Sequence, residues 1–296
     1  MAFFDVNKQK NPENFADARG RLKSMMLGAT EHQAEAGLNW YPNAERAARE
    51  GSASMGVSHI RGAGMMSAVS PGLDFDTHNV GVLEELDRMK PEHAKMVMQS
   101  AQLARIGQAH NRELKARGIL KGSPEYAQHA MRTGRLPEVT SMLTEAYPSL
   151  SKAYDANIGT ALRIRGGEDP IELLSRRTSP KQHNFMMNLA GDTDAVTIDG
   201  RHADIIANSM RPWHGSGSPR GIGTAGNLRG TPTRHEDYEE VVRSSSTLPS
   251  VQKRFPRLTS RDAQALQWVI AKDIERTNPD GSIRGVGPKR AGQPYL

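Results

Sequence analysis

With 296 residues the chain is long enough to bury a core without covalent staples, and its lack of cysteine excludes disulfides, thiolate-held zinc and an iron–sulfur cluster. The formal net charge of +6 belongs to the last third: residues 1–200 carry 24 basic and 24 acidic side chains, whereas residues 201–296 carry 15 and 9. A basic end on a neutral body suits a polyanion, because each Lys or Arg that neutralises a phosphate releases a counterion, and it equally describes a solvated tail. The opening MAFFDVNKQK lacks the basic-then-apolar order of a secretory leader, and no eighteen apolar residues follow one another. The expectation is therefore a cytoplasmic protein with no membrane partner and no cofactor.

Period-two runs of Val, Ile, Thr and aromatic residues are scarce, while helix-period segments punctuated by Pro and Gly recur, so an all-α fold is predicted. In chain order the predicted helices cover 13–36, 42–50, 57–69, 78–89, 91–117, 124–132, 137–146, 149–164, 170–175, 180–190, 200–210, 235–245 and 260–276. Thr259 and Asp262 form a capping-box pattern ahead of the last of these, and Leu266, Val269, Ile270 and Ile274 then share one face, which is expected to pack back on the core. The Met pairs at 25 and 26, 65 and 66, and 186 and 187 read as adaptable core filler. Between Trp213 and Arg234 the sequence holds six glycines, two prolines, three arginines after the Trp and no acid: a long connector that can wrap a phosphate backbone or simply stay solvated. The final GSIRGVGPKRAGQPYL reads as an untethered tail. The expected organisation is an N-terminal helical extension over 1–40, a helical core over 41–210, the Gly-rich basic loop over 211–234, C-terminal helices over 235–277 packing on that core, and a flexible tail over 278–296.

Residues 179–210, SPKQHNFMMNLAGDTDAVTIDGRHADIIANSM, are the most informative. The approach AVTID turns Val196 and Ile198 inward and delivers Asp199 immediately before a new helix. There, backbone N–H groups and the positive dipole end favour an ionised carboxylate. The same position is what an ordinary N-cap requires. Lys181 stands 18 residues earlier, behind Pro180 at the start of the preceding helix.

Together these features resemble the helix-hairpin-helix DNA glycosylase superfamily (HhH-GPD), of the endonuclease-III-like kind, in which a helix bearing a Lys leads to a V-D-x-H-like segment. Upstream, GMMSAVSPGLDFDTHNVGVLEEL at 64–86 is similar to that family's buried helix and L-S-x-Q-T-x-D-like loop, with Ser70, Asp74, Asp76 and Asn79 in the corresponding neighbourhood. The likeness spans roughly residues 41–210 and implies an HhH-GPD helical fold acting on double-stranded DNA with a flipped nucleotide. It also resembles uncharacterised proteins of actinobacteriophages, which implies a viral origin and the host cytoplasm. By resemblance, Asp199 is the catalytic carboxylate and Lys181 a Schiff-base nucleophile, in a glycosylase or glycosylase/lyase. Arg176, Arg177, His183, Arg201, His202, Ser70 and Asn79 are candidate DNA contacts, with Asn184 beside them.

The sequence also departs from the family pattern. The family hairpin reads L-P-G-V-G-x-K, whereas Leu174-Ser-Arg-Arg-Thr-Ser-Pro180 has no glycine to bring backbone N–H groups up to a phosphate, leaving Arg176 and Arg177 to pair with phosphate directly. Pro71 and Gly72 stand where glutamine and threonine are expected, and His202 lies one place late. GVGPKRA at 285–291 reproduces the hairpin better but is followed by only five residues, too few for the helix such a hairpin needs. Two other functions fit the same residues: a transferase that hypermodifies phage DNA bases on this scaffold, and a non-catalytic DNA-binding or virion-associated protein.

Overall fold

The computed structural model describes residues 6–71, 73, 81–118, 135–206 and 232–276, and every regular element among them is helical. The described chain divides into two compact units, one formed by Met1–Arg46 with Leu174–Leu296 and the other by Ala47–Leu173. The span 41–210 expected as one core is thus shared between both. The predicted helix at 124–132, Asn79, the Gly-rich stretch before position 232 and GVGPKRA lie outside the described residues.

The first unit holds α1 (Pro12–Gly28), the N-terminal part of α2 (Glu31–Ser54), α10 (Pro180–Leu189), α11 (Gly200–Ile206), α12 (Pro232–Ser246), α13 (Pro249–Arg254) and α14 (Ser260–Arg276). A single helix was expected over 13–36, but the chain breaks at Ala29 and Thr30. There Thr30 and Gln33 form a reciprocal capping box, Thr30 N–H donating to Gln33 Oε1 at 2.9 Å and Gln33 N–H to Thr30 Oγ1 at 3.2 Å. The expected interruption before Pro42 does not occur, and α2 runs through that proline. Helix α1 packs on α11, α12, α13 and α14. Phe15, Ala18 and Leu22 meet Val196, Ile198, Ile205, Ile206, Tyr238, Val241 and Val242 in one buried cluster, and Met26 meets Val251, Ala263, Leu266 and Ile270 in a second. Gly37 lets α2 lie directly on α14, since a Cβ there would stand 2.5 Å from Leu266 Cα.

The second unit contains the remainder of α2 with α3 (His59–Val69), α4 (Val82–Arg88), α5 (Pro91–Ala116), α6 (Pro137–Ala146), α7 (Pro148–Ser151), α8 (Asp155–Arg165) and α9 (Pro170–Leu173). Helix α8 packs against both α3 and α5. From Gly62 to Val69, α3 is buried at every position, as befits a segment of small residues and Met with no charged side chain. The predicted helix over 149–164 is two helices, and polar anchors account for the break. Glu85 of α4, almost fully buried, accepts from the main-chain N–H groups of Ser149 and Leu150 at 2.9 Å each and so caps α7 from a distance. Asp155 at the head of α8 takes the Ser100 hydroxyl and the Arg135 guanidinium, which also donates to the Ser151 carbonyl at 2.8 Å and to that of Ala153.

Candidate active site

Helix α10 is closed by Gly191, whose φ of 102° lies in the left-handed region; Asp192 N–H then reaches back to the Met187 carbonyl at 2.9 Å. Asp192 Oδ1 accepts from Asp194 N–H (2.8 Å) and Ala195 N–H (3.2 Å), a turn that starts the approach to Asp199. Two asparagines one helical turn apart on α10 hold that approach in place. Asn184 donates to the Val196 carbonyl at 2.7 Å, and the Asn188 side-chain amide hydrogen-bonds the Thr197 hydroxyl at 3.0 Å. Val196 and Ile198 are fully buried, as their alternation requires.

Asp199 ends the approach as the N-cap of α11. Its main-chain carbonyl accepts from Ala203 N–H at 3.0 Å, and its Oδ1 accepts from the main-chain N–H of His202 at 3.0 Å. The same Oδ1 also accepts from His202 Nδ1 at 2.8 Å, while Oδ2 accepts from the indole N–H of Trp268 on α14 at 3.1 Å. The His202 ring is fully buried and its Nε2 donates to the main-chain carbonyl of Gln264 at 3.0 Å. The two ring nitrogens thus tie the head of α11 to Asp199 on one side and to the α14 main chain on the other. The Tyr41 hydroxyl donates to Gln264 Oε1 at 2.6 Å, and burial pushes this phenol far above its ordinary range, so it stays a neutral donor. At the other described end of α11, Arg21 donates to the carbonyls of Ile205 (3.4 Å) and Ile206.

Burial works against an ionised Asp199, but the opposing influences win. The charge and hydrogen bonds of His202, with the charge of Lys181 acting alongside, hold this carboxyl well below the usual carboxylate range. Its side chain keeps 17% of its surface exposed. Lys181 stands half-buried in the first turn of α10, and its charge is a lesser influence favouring the ionised form of Asp199. The chemistry available here is that of a fixed, oriented anion.

The other sequence-derived candidates divide by environment. Arg176 does not project freely: it donates to Glu239 Oε2 at 2.8 Å and stands 3.8 Å from Glu236, with 45% of its side chain still exposed. Arg177 is exposed. His183 is half-buried and its Nδ1 donates to the Leu174 carbonyl at 3.0 Å. Arg201 lies in the first turn of α11. Ser70 follows α3 in the second unit, its hydroxyl donating to the Ser67 carbonyl at 2.9 Å. Glu239, fully buried on α12, gathers Arg176, Arg243 (2.9 Å) and Asn184 (2.6 Å). Burial opposes its charge, yet His235, Arg176 and Arg243 keep the carboxyl below its ordinary value.

Trp268, Gln264, Tyr41 and Glu239 escape a reading of the sequence because their partners lie dozens of residues away. The one local signal is on α14, where Gln264 and Trp268 are one helical turn apart, off the apolar face of Leu266, Val269 and Ile270. Around Trp268, Trp40 lies 5.6 Å away between ring centroids, and Lys272 Nζ sits 4.2 Å above the indole.

Among the described residues no group of three or more His, Asp or Glu is arranged to hold a metal ion, and no helix is long and apolar enough to cross a membrane. In comparison with known proteins, residues 5–227 match the model of a family of unknown function, DUF7178. No curated protein and no solved structure matches the chain.

Proposed function

We propose that this chain, which belongs to the DUF7178 family, is a DNA-acting protein that breaks the N-glycosidic bond of a flipped nucleotide, with Asp199 as the reacting carboxylate. One observation carries the reading: an anion at the head of α11 is oriented by three N–H donors, kept ionised against burial, left partly exposed and influenced by the charge of Lys181. Departure of a base builds positive charge on the sugar ring, and a carboxylate that is already oriented stabilises that charge or activates the attacking water without reorganising. The target nucleotide leaves the base stack to reach such a group.

The amine of Lys181 is the candidate nucleophile toward the anomeric carbon, which would add a lyase step through a Schiff base. Arg177, Arg201 and His183, close in sequence to these two residues, are the proposed phosphate contacts on the same unit, and Arg176 contributes what remains after its pairing with Glu239. On this reading the helical scaffold is of the HhH-GPD kind, and Ser70 and Asn79 are further candidate DNA contacts.

The test uses duplexes that each carry one damaged or modified base, together with an abasic duplex, and measures released base by mass spectrometry. Released base that is lost in Asp199→Asn supports the reading. A borohydride-trapped protein–DNA adduct that disappears in Lys181→Ala assigns the amine, and a trap that survives this change removes Lys181 from the chemistry.

A second reading has its own observation: both carboxylate oxygens of Asp199 already have internal partners, as a purely structural N-cap would. Salt-dependent DNA binding that is unaltered in Asp199→Asn, with no base released from any duplex, selects that non-catalytic alternative. Activity confined to DNA bearing a pyrophosphorylated base selects the hypermodification transferase.

A further inference from the structure

Helices α11 and α14 meet through two paired contacts. Asp199 and His202 are three residues apart at the head of α11, and Gln264 and Trp268 are four apart on α14. Each member of one pair bonds a member of the other: Trp268 Nε1 to Asp199 Oδ2 at 3.1 Å and His202 Nε2 to the Gln264 carbonyl at 3.0 Å. The two oxygens of the carboxylate are treated differently. Oδ1 is held from its own helix by two N–H groups of His202, whereas the indole N–H, from a helix 69 residues away, holds Oδ2. A twist of the carboxyl about its bond to Cβ carries both oxygens off their donors, so the indole bond to Oδ2 adds to the hold of His202 on Oδ1 and fixes the plane of the group from a second helix. The indole has its own supports, with Lys272 Nζ over its face and Trp40 beside it, while Tyr41 steadies Gln264 one turn earlier on α14. Trp268 also lies beyond the span 5–227 that matches the family model.

We propose that Trp268 is a positioning residue for Asp199, and that α14, outside the family-matched span, completes the reacting site by fixing the plane of this carboxylate. The assignment rests on the reading of Asp199 as the reacting group. Its geometric half stands apart from that reading and has its own measurement. Charged and titratable groups around the carboxylate are His202 of α11, Lys181 of α10 and Tyr41 of α2, while Lys272 follows Trp268 on α14.

Trp268→Phe keeps an aromatic ring and removes the donor together with the second ring of the indole, so the test compares it with the full-length wild-type chain and reads the indole bond separately. A hydrogen bond to a charged acceptor is worth about tenfold in a rate when it orients the reacting group. On the duplex from which wild type releases base, Trp268→Phe is expected to lose about tenfold in kcat with little change in KM. Losing a donor to the ionised form also moves the acidic limb of its pH profile to higher pH. In nitrogen-15 spectra, the indole N–H signal that vanishes in Trp268→Phe is expected to shift in Asp199→Asn. Circular dichroism that matches wild type shows that both variants are folded. An unchanged kcat and acidic limb, or an indole signal indifferent to Asp199→Asn, overturns the proposal. If wild type releases no base from any duplex, the glycosylase reading fails, and the indole signal still decides whether α14 holds the carboxylate.

Discussion

Replacing Glu239 with glutamine removes one charge and almost no volume from a position with no solvent exposure. In the wild-type chain this carboxylate receives Arg176 (2.8 Å), Arg243 (2.9 Å) and Asn184 (2.6 Å). Glutamine retains an oxygen for Asn184, but its amide nitrogen turns a donor toward guanidinium donors. Hydrogen bonds to charged groups contribute about 1.5–3 kcal/mol each. Arg176 and Arg243 keep 45% and 31% of their side-chain surface, however, and recover part of that from water. With this discount the expected loss is roughly 2 kcal/mol at neutral pH.

The pH dependence has a definite sign. Because the folded-state pKa lies below the ordinary glutamate value, the stabilisation is complete above about pH 4.5 and is lost as pH falls through the lower folded value. Urea unfolding followed by far-ultraviolet circular dichroism at pH 7 and at pH 3.5 reads both effects. The gap between wild type and Glu239→Gln is expected at pH 7, equivalent to about 4–8 °C in Tm for a domain of this size, and is expected to narrow in acid. Equal midpoints at pH 7, or a gap that is the same at both pH values, would refute the assignment of Glu239 as the charged hub joining α10 and α12.

Asp199→Asn keeps an N-cap acceptor for the His202 main chain but turns an amide N–H toward existing donors. It is expected to cost about 1–2 kcal/mol at pH 7, with the difference from wild type closing below about pH 4 in the same unfolding assay. In the base-release assay the same variant is expected to lose at least about 100-fold. Gly37→Ala drives a Cβ to 2.5 Å from Leu266 Cα, a main-chain atom that no rotamer change can move aside, so α2 and α14 separate and thermal denaturation reports a loss of about 1–3 kcal/mol. Glu85→Ala leaves the first N–H groups of α7 without their buried carboxylate and is expected to lower stability by about 1–3 kcal/mol in urea unfolding, with amide exchange accelerated at Ser149 and Leu150.

What the amino-acid sequence determined by itself is the content of its local signals. The helix over 137–146 follows from periodicity and from Pro137 at its first position, and the helix over 260–276 from periodicity and the Thr259 and Asp262 box, in which Asp262 N–H donates to Thr259 Oγ1 at 3.1 Å. The inward turn of Val196 and Ile198 and the position of Asp199 at a helix start were legible for the same reason. The break between α1 and α2 was encoded just as locally, by Thr30 and Gln33, but lay within an unbroken helical pattern; Pro42 was a local stop signal that the rest of α2 overrode. Only the tertiary structure decided which groups meet the carboxylate. Trp268 reaches Asp199 across 69 residues and Glu239 collects Arg176 across 63, because apolar packing brings α10, α11, α12 and α14 into one unit and polar side chains then pair with whatever that packing sets beside them. Hydrophobic burial is non-directional, so a sequence pattern specifies which face of a helix turns inward, while the identity of the donor waiting there depends on the whole fold.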